Sequence, residues 1–417
     1  MKVLMVGTAL DTNGQKMRFV EAANRWGSDP DVLKALWVGT IDDLGGVAGR
    51  FAAASSEGPL VIRSAHQATA YFDFPTDIIW SKRRNQAEVQ KLAEEADVIH
   101  LTNDVKAYID LRLPRLRKPA VLHHHGTLFR NNPARLLAEA KRFHMVQTVS
   151  TIDLMRPAPD ILRWLPTAYD MDMLARVREE YRRPEDGLVR IVSAPTNRAI
   201  KSTDALEQAV RELQAEGLPV ELVLVEGKTW EQCLKVKATA DIYFDQVKLG
   251  YGCNAVEAWG MGIPVVAGAD DWTLNRMKQE WNTEILPFYE ATEQTIADRL
   301  RELVQSSYLR AAVADRGSAF AYQYHAEKPA LARAMELYVE AIKVRARSDE
   351  EVAPIPLTPG RFRTDGRRSL QLRLGSRSVQ FTNGEATVTD PELAQRLRRL
   401  IAFDGRHQIT EVYEDVA

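Results

Sequence analysis

The 417-residue sequence predicts an α/β protein: two Rossmann-like domains facing across a cleft, followed by a small C-terminal α+β module. Three observations predict this. Short apolar runs alternate with stretches of helical periodicity, the alternation restarts midway, and a proline-rich segment at 351–360 sets off the remainder. Strands alternating with helices imply parallel sheets covered on both faces. The chain is also too long for one ordinary core. The expected domains are residues 1–168, 169–350 and 355–417.

In the first domain, residues 2–6, 36–38, 60–62, 97–101 and 120–123 are apolar runs of strand length, and 15–26 and 84–96 carry apolar residues at helical spacing. The second repeats the pattern. Strands are expected at 189–192, 220–225, 241–244, 264–267 and 283–286, and helices at 203–216 (closed by Gly217), 230–240 and 254–261. Residues 308–345 are strongly helical and expected to pack back towards the first domain. The segment 351–360 holds too many prolines for a helix or a central strand. Beyond it, 369–374, 379–382, 386–388 and 409–412 read as strands, with Asn383-Gly384 as a hairpin turn. Asp390 and Pro391 supply an N-cap and a first-turn proline for a helix to about Ala402.

Composition narrows the function classes. The chain is 45% hydrophobic and 27% charged, as soluble globular proteins are. A net charge of −2 argues against nucleic-acid binding by the whole surface and leaves room for local basic patches. Lys2 is followed by only a short apolar run, so no leader is expected. No apolar stretch approaches the roughly 18 residues of a membrane span. The two cysteines, Cys233 and Cys253, have no CxxC spacing, which disfavours a disulfide framework or structural zinc and fits a reducing cytoplasm.

The richest chemistry lies in residues 241–266. A strand runs into a glycine-containing loop, Gly250-Tyr251-Gly252-Cys253-Asn254, and the loop opens a helix. Free N–H groups and the positive dipole end at such a start favour a phosphate. Gly250 and Gly252 allow close backbone approach, and Glu257 lies where it can accept hydrogen bonds from ribose hydroxyls. Arg198 and Lys201 follow another strand, at the sheet edge where open α/β folds bind ligands. Two cations beside a helix N-terminus suit a pyrophosphate, in binding and as a leaving group.

These residues resemble those of the retaining nucleotide-sugar glycosyltransferases of the GT-B fold, a family that includes sucrose synthase and many bacterial cell-envelope transferases. Residues 197–202 resemble the family's Arg/Lys loop, and Glu257-Ala-Trp-Gly-Met-Gly-Ile-Pro-Val-Val266 resembles its Glu-Ala-x-x-x-Gly-x-Pro-Val-Val signature. The resemblance spans roughly residues 1–345 and is strongest over 190–268. It implies that Arg198 and Lys201 hold the pyrophosphate and Glu257 the ribose of a UDP- or GDP-sugar, with no cofactor and no metal. Two departures accompany it. Where the family has a second Glu eight residues before Glu257, this chain has Leu249, and Asp245 and Gln246 are the neighbouring substitutes. The family's extra βα unit beside the base is missing, because residues 225–228 lead directly into the helix at Trp230.

In the first domain, His125 with Gly126 matches the family's His-Gly, which implies a His125 contact to the donor sugar. Acceptor-side candidates are Asn13 and Gly14 in the first loop (7–14), Asn103 and Asp104 after the fourth strand, and Arg130. Asp104 reads either as a general base of an inverting variant or as a helix cap. Between 361 and 377 six arginines accompany one acid, Asp365, a strip able to neutralise phosphates or to form an exposed basic hairpin. The module resembles small domains appended to bacteriophage proteins, which implies a modified base in phage DNA as one acceptor. A glycan, lipid or protein acceptor suits the main body equally, and Leu249 favours a catalytically silent binding or assembly protein that keeps the fold.

Overall fold

The computed structural model describes residues 12–42, 46–69, 76–351, 360–364, 369–374, 377–404 and 409–412. The chain divides into two compact units, Met1–Arg345 and Ala346–Ala417. The strand expected at 2–6 lies outside the described residues, as do 7–11 of the expected first loop. Residues 12–14 belong to the helix Thr12–Ser28 and not to that loop.

The first sheet has seven parallel strands, in the order Ile78–Ile79, Leu60–Thr69, Leu33–Asp42, Val98–Thr102, Ala120–His124, Val146–Val149, Arg163–Trp164. Every residue of Val98–Thr102, Ala120–His124 and Val146–Val149 is buried, as expected of strands covered on both faces. Side chains alternate between those faces. Leu36 and Val38 pack with Trp26, Ile99 and Leu101, whereas Ala35 and Trp37 pack with Phe51 and the last helix of this unit, Glu327–Glu351. That helix presents Ala330, Ala334, Leu337, Tyr338 and Ala341, a stripe at helical spacing. Trp37 Nε1 donates to Tyr338 Oη at 2.8 Å.

The second sheet runs Leu249–Gly250, Val265–Ala269, Ile242–Phe244, Val189–Ser193, Val220–Leu224, with Tyr289–Glu290 also on Val265–Ala269. All pairs are parallel except that of Leu249–Gly250. The expected strand at 283–286 is a loop. Asn282 ends the preceding helix in the left-handed region (φ 49°), Thr283 Oγ1 bonds to Ile285, and Pro287 cannot donate to a ladder, so pairing begins beyond it. Asp270 accepts from Thr273 N at 2.9 Å and caps the helix Asp271–Trp281, an element absent from the expected list.

The second unit carries a five-stranded antiparallel sheet, in the order Ser369–Leu374, Arg377–Thr382, Glu385–Val388, Gly360–Thr364, Ile409–Val412, with the helix Pro391–Asp404. Asn383 and Gly384 both have positive φ (52° and 84°), as a two-residue hairpin requires. Phe362, Phe381, Ala394 and Leu397 form its core.

Candidate active site

The site sits at the C-terminal edge of the second sheet. After Val189–Ser193 the chain turns on Asn197, whose Oδ1 accepts from Ile200 N and whose carbonyl accepts from Lys201 N. Ser202 takes a left-handed conformation before the helix Thr203–Ala215. The turn sends Lys201 inward, where its ammonium lies 2.5 Å from Asp245, the residue directly after Ile242–Phe244. The other Asp245 oxygen accepts from Gly252 N at 2.6 Å, at the start of the helix Cys253–Gly260. A Cβ on Gly252 would stand 3.6 Å from both Lys201 Nζ and Asp245 Oδ2. Lys201, a carboxylate and a helix start therefore meet at one point.

Glu257 lies just over one turn along that helix, its carboxylate only 4% exposed. Three donors fill it. Lys237 Nζ is 2.5 Å from Oε2, while Trp230 Nε1 at 2.8 Å and Arg50 at 3.4 Å share Oε1. Lys237 Nζ also donates to Asn254 Oδ1 at 3.0 Å, and Asn254 Nδ2 to the Ala194 carbonyl at 3.2 Å. Burial opposes the charge on Lys237, but Glu257, with help from Cys233 and Asp245, outweighs it and lifts the pKa above the ordinary lysine value. A Thr229/Gln232 capping box starts the helix Trp230–Lys237. Trp230, Leu234 and Lys237 share a face of it.

Arg50 comes from the first half of the unit. It is the one charge in the helix Val47–Ala54, all of whose residues are buried. Its guanidinium stacks 4.1 Å from the ring centre of Tyr169 and 4.9 Å from that of Trp230.

Arg198 goes elsewhere. Its side chain, 40% exposed, bonds to Glu207 (2.8 Å), Asp204 (3.1 Å) and Glu226 (3.4 Å), and Glu207 foremost raises its pKa. The two cations read together in the sequence thus end on different carboxylates. Gly250 is needed for its φ of +86°. Tyr251 is buried in an aromatic core with Trp259, Trp281 and Phe320, and its hydroxyl bonds to His325 Nε2 at 3.0 Å. The Cys253 carbonyl accepts from Tyr169 Oη at 3.4 Å. Leu249 pairs with Ala269 in the sheet, and Gln246 is buried beside it.

On the first sheet, His125 follows Ala120–His124 and precedes the short helix Gly126–Asn131. Its ring lies 3.9 Å from that of His123, His123 is 5.3 Å from His100, and His100 stacks 3.7 Å from Trp37. Burial, and then the neighbouring His125, push the pKa values of His100 and His123 well below the ordinary histidine value. His124 faces the other way, on Phe129 and Gln147; burial lowers it to about 4. Asn103 has φ 70°, and Asp104, one residue before the N-cap Val105 of the helix Lys106–Asp110, accepts from Lys106 N at 2.9 Å. Arg130 pairs with Asp153 at 2.7 Å. Asn13 and Gly14 lie in the helix Thr12–Ser28.

Trp230, Lys237 and Arg50 were not singled out in the sequence. The available signal was a basic residue on an otherwise apolar helix face, at 237 and again at 50, since such a charge needs a buried partner. Among the described residues, no group of three or more His, Cys, Asp or Glu is arranged to hold a metal ion, and no helix is long and apolar enough to cross a membrane.

No family model and no curated protein matches the chain. Solved structures do match. HepE from Anabaena in complex with UDP aligns with a TM-score of 0.51 at 14% identity, covering 77% of this chain and 99% of its own. The same protein with UDP and glucose gives 0.50 at 14% identity, with the same coverage. A glycosyltransferase from Rickettsia africae gives 0.51 at 11% identity, covering 75% and 99%. At these identities the likeness is one of fold. Two Rossmann-like sheets within one unit, aligned over nearly the whole length of such proteins, give this chain the GT-B fold.

Proposed function

We propose that the chain transfers a sugar from a UDP- or GDP-sugar to an acceptor hydroxyl, with retention and without a metal ion. The observation that carries this reading is the meeting of Lys201, Asp245 and Gly252 N at the start of Cys253–Gly260, with Glu257 one turn further on. A diphosphate at the helix start faces Lys201 and the dipole, and a vicinal diol one turn deeper faces Glu257. HepE, which shares the fold, is solved in complex with UDP and with UDP and glucose, which supports a nucleotide-sugar donor.

In this reading the acceptor oxygen bonds to the anomeric carbon on the face from which the diphosphate leaves. The bond from that carbon to the phosphate oxygen breaks, and the acceptor proton passes to the departing phosphate. Lys201 and the helix start stabilise the developing charge, with Arg198 adding to the field from the rim. His125 contacts the donor sugar from the first half. Asp245 takes the sugar contact that Leu249 cannot make. The acceptor is a modified base in DNA, whose phosphates the basic strip at 361–377 recruits.

UDP- and GDP-sugars should raise the melting temperature, and the protein should slowly hydrolyse the sugar it accepts, with EDTA present. Nucleotide binding untouched by both Lys201→Ala and Arg198→Ala would remove the site assignment. Loss of activity with EDTA, restored by Mn²⁺ or Mg²⁺, would remove the metal-free reading. Leu249 favours a second reading, a binding protein that keeps the fold; nucleotide binding without any hydrolysis or transfer would select it.

A further inference from the structure

Glu257 is occupied from an unexpected direction. Its Oε1 accepts from Trp230 and is ion-paired with Arg50, a residue of the opposite half of the unit, at 3.4 Å. The pair is almost fully enclosed, the two side chains being 3% and 4% exposed. Tyr169 and Trp230 hold the flat guanidinium at 4.1 and 4.9 Å. Both oxygens of the carboxylate that a ribose diol would use are therefore engaged, Oε2 by Lys237 and Oε1 by Trp230 and Arg50.

We propose that Arg50 is a gate on the donor site, closing it by occupying Glu257 until a nucleotide displaces it. The inference rests on Glu257 being the ribose carboxylate. Ribose hydroxyls and Arg50 compete for the same carboxylate, and Arg50, at 3.4 Å, makes the longest of its three contacts, so nucleotide entry draws Arg50 and the helix Val47–Ala54 away from Glu257. Apparent affinity is then the intrinsic affinity reduced by the fraction of molecules with the gate open. Weakening the gate tightens binding, the opposite of what removing a ligand contact does.

The test is calorimetry of UDP and GDP on the wild-type chain, Arg50→Met and Arg50→Lys. Arg50→Met should bind the accepted nucleotide roughly tenfold more tightly. Arg50→Lys, which keeps the charge and loses the planar stacking, should fall between. Hydrogen exchange on the wild-type chain gives an answer independent of how the variants fold: nucleotide should speed exchange in Val47–Ala54 and slow it in Cys253–Gly260. Binding by the wild type, with equal or weaker binding by Arg50→Met, overturns the gate and leaves the donor reading standing. Unchanged exchange in Val47–Ala54 on nucleotide binding does the same if the variants misfold. No nucleotide binding by the wild type or either variant overturns the donor reading and the gate together.

Discussion

The two parallel-stranded regions solve burial in opposite ways. The first sheet buries rings, Trp37 and His100 within its strands and His123 and His124 at the end of one, with the histidines held neutral by desolvation. The second ends in buried charges, Lys201 on Asp245 and Lys237 with Arg50 on Glu257. Neutral rings cost less to bury than charges, which are costly unless paired and hydrogen-bonded. The first sheet buries rings, and the second carries ion pairs where a charged ligand is expected. The two should fail under different conditions.

The largest effect should come from acid. His124, at about 4 when folded, has an unfolded value near 6.5. Between those values the unfolded chain binds more protons, so this contribution is present above pH ~6.5 and is lost as pH falls towards 4. His124 alone is worth roughly 3 kcal/mol over that window, and His100 and His123 act in the same direction. Denaturant melts from pH 7 to 4 should show the loss, and His124→Gln should reduce it, leaving the share of His100 and His123. A flat profile in the wild type would mean that these rings are not buried neutral. Lys237 has the opposite sign, since a raised lysine pKa gives stability that is present below pH ~10.5 and lost as pH rises through the folded value.

Next in size is Lys237→Met, which strips Glu257 of its closest cation. Breaking a buried pair on one side costs about 3–5 kcal/mol, more than replacing both partners together. Urea unfolding should show that loss and its partial recovery in Lys237→Met/Glu257→Gln. Equal losses in the single and double variants would show that the pair is not coupled.

Binding effects come third. Lys201→Ala should weaken nucleotide binding roughly ten- to hundredfold, the worth of one charge-assisted contact. Arg198→Ala should cost less, because its guanidinium is half-exposed and already engaged by three carboxylates. Calorimetry that ranks Arg198 above Lys201 would reverse the assignment of the inner cation.

How much of this was legible follows the same contrast. Apolar runs and glycines announced both sheets and the loop at 250–254, because period and turn chemistry are local. The helix Asp271–Trp281 was missed because its start, Asp270 bonded to Thr273 N, looks in sequence like a pair of loop acids. The strand misplaced at 283–286 gave way to Pro287, whose missing donor moved pairing to Tyr289–Glu290. At the site, Lys201, Asn254 and Glu257 stood out by motif. Arg50 did not, since its partner lies 207 residues away, and a pairing so distant leaves no periodic trace. Arg198 and Lys201, three residues apart, were read as one clamp; the turn at Asn197 and the left-handed Ser202 send them to different partners.

The smallest expected effect on donor binding, zero, comes from deleting residues 355–417. Both parallel sheets lie within Met1–Arg345, and the antiparallel sheet has its own core of Phe362, Phe381 and Leu397. The shortened chain should therefore bind nucleotide as the full chain does. Its acceptor side should change. In the basic strip, Arg361 and Arg363 face Glu385, and Arg377 pairs with Asp390. Arg367 and Arg368 lie outside the described residues. Exposed pairs of this kind contribute little and are readily exchanged for other anions. If the strip recruits a polyanion, retention on DNA should fall on deletion and on Arg367→Ala/Arg368→Ala. In the full chain, log affinity should drop linearly with log salt, by about 0.9 per phosphate engaged on duplex DNA. Equal, salt-independent retention of the full and shortened chains would end the nucleic-acid reading of this module while leaving the donor site as it stands.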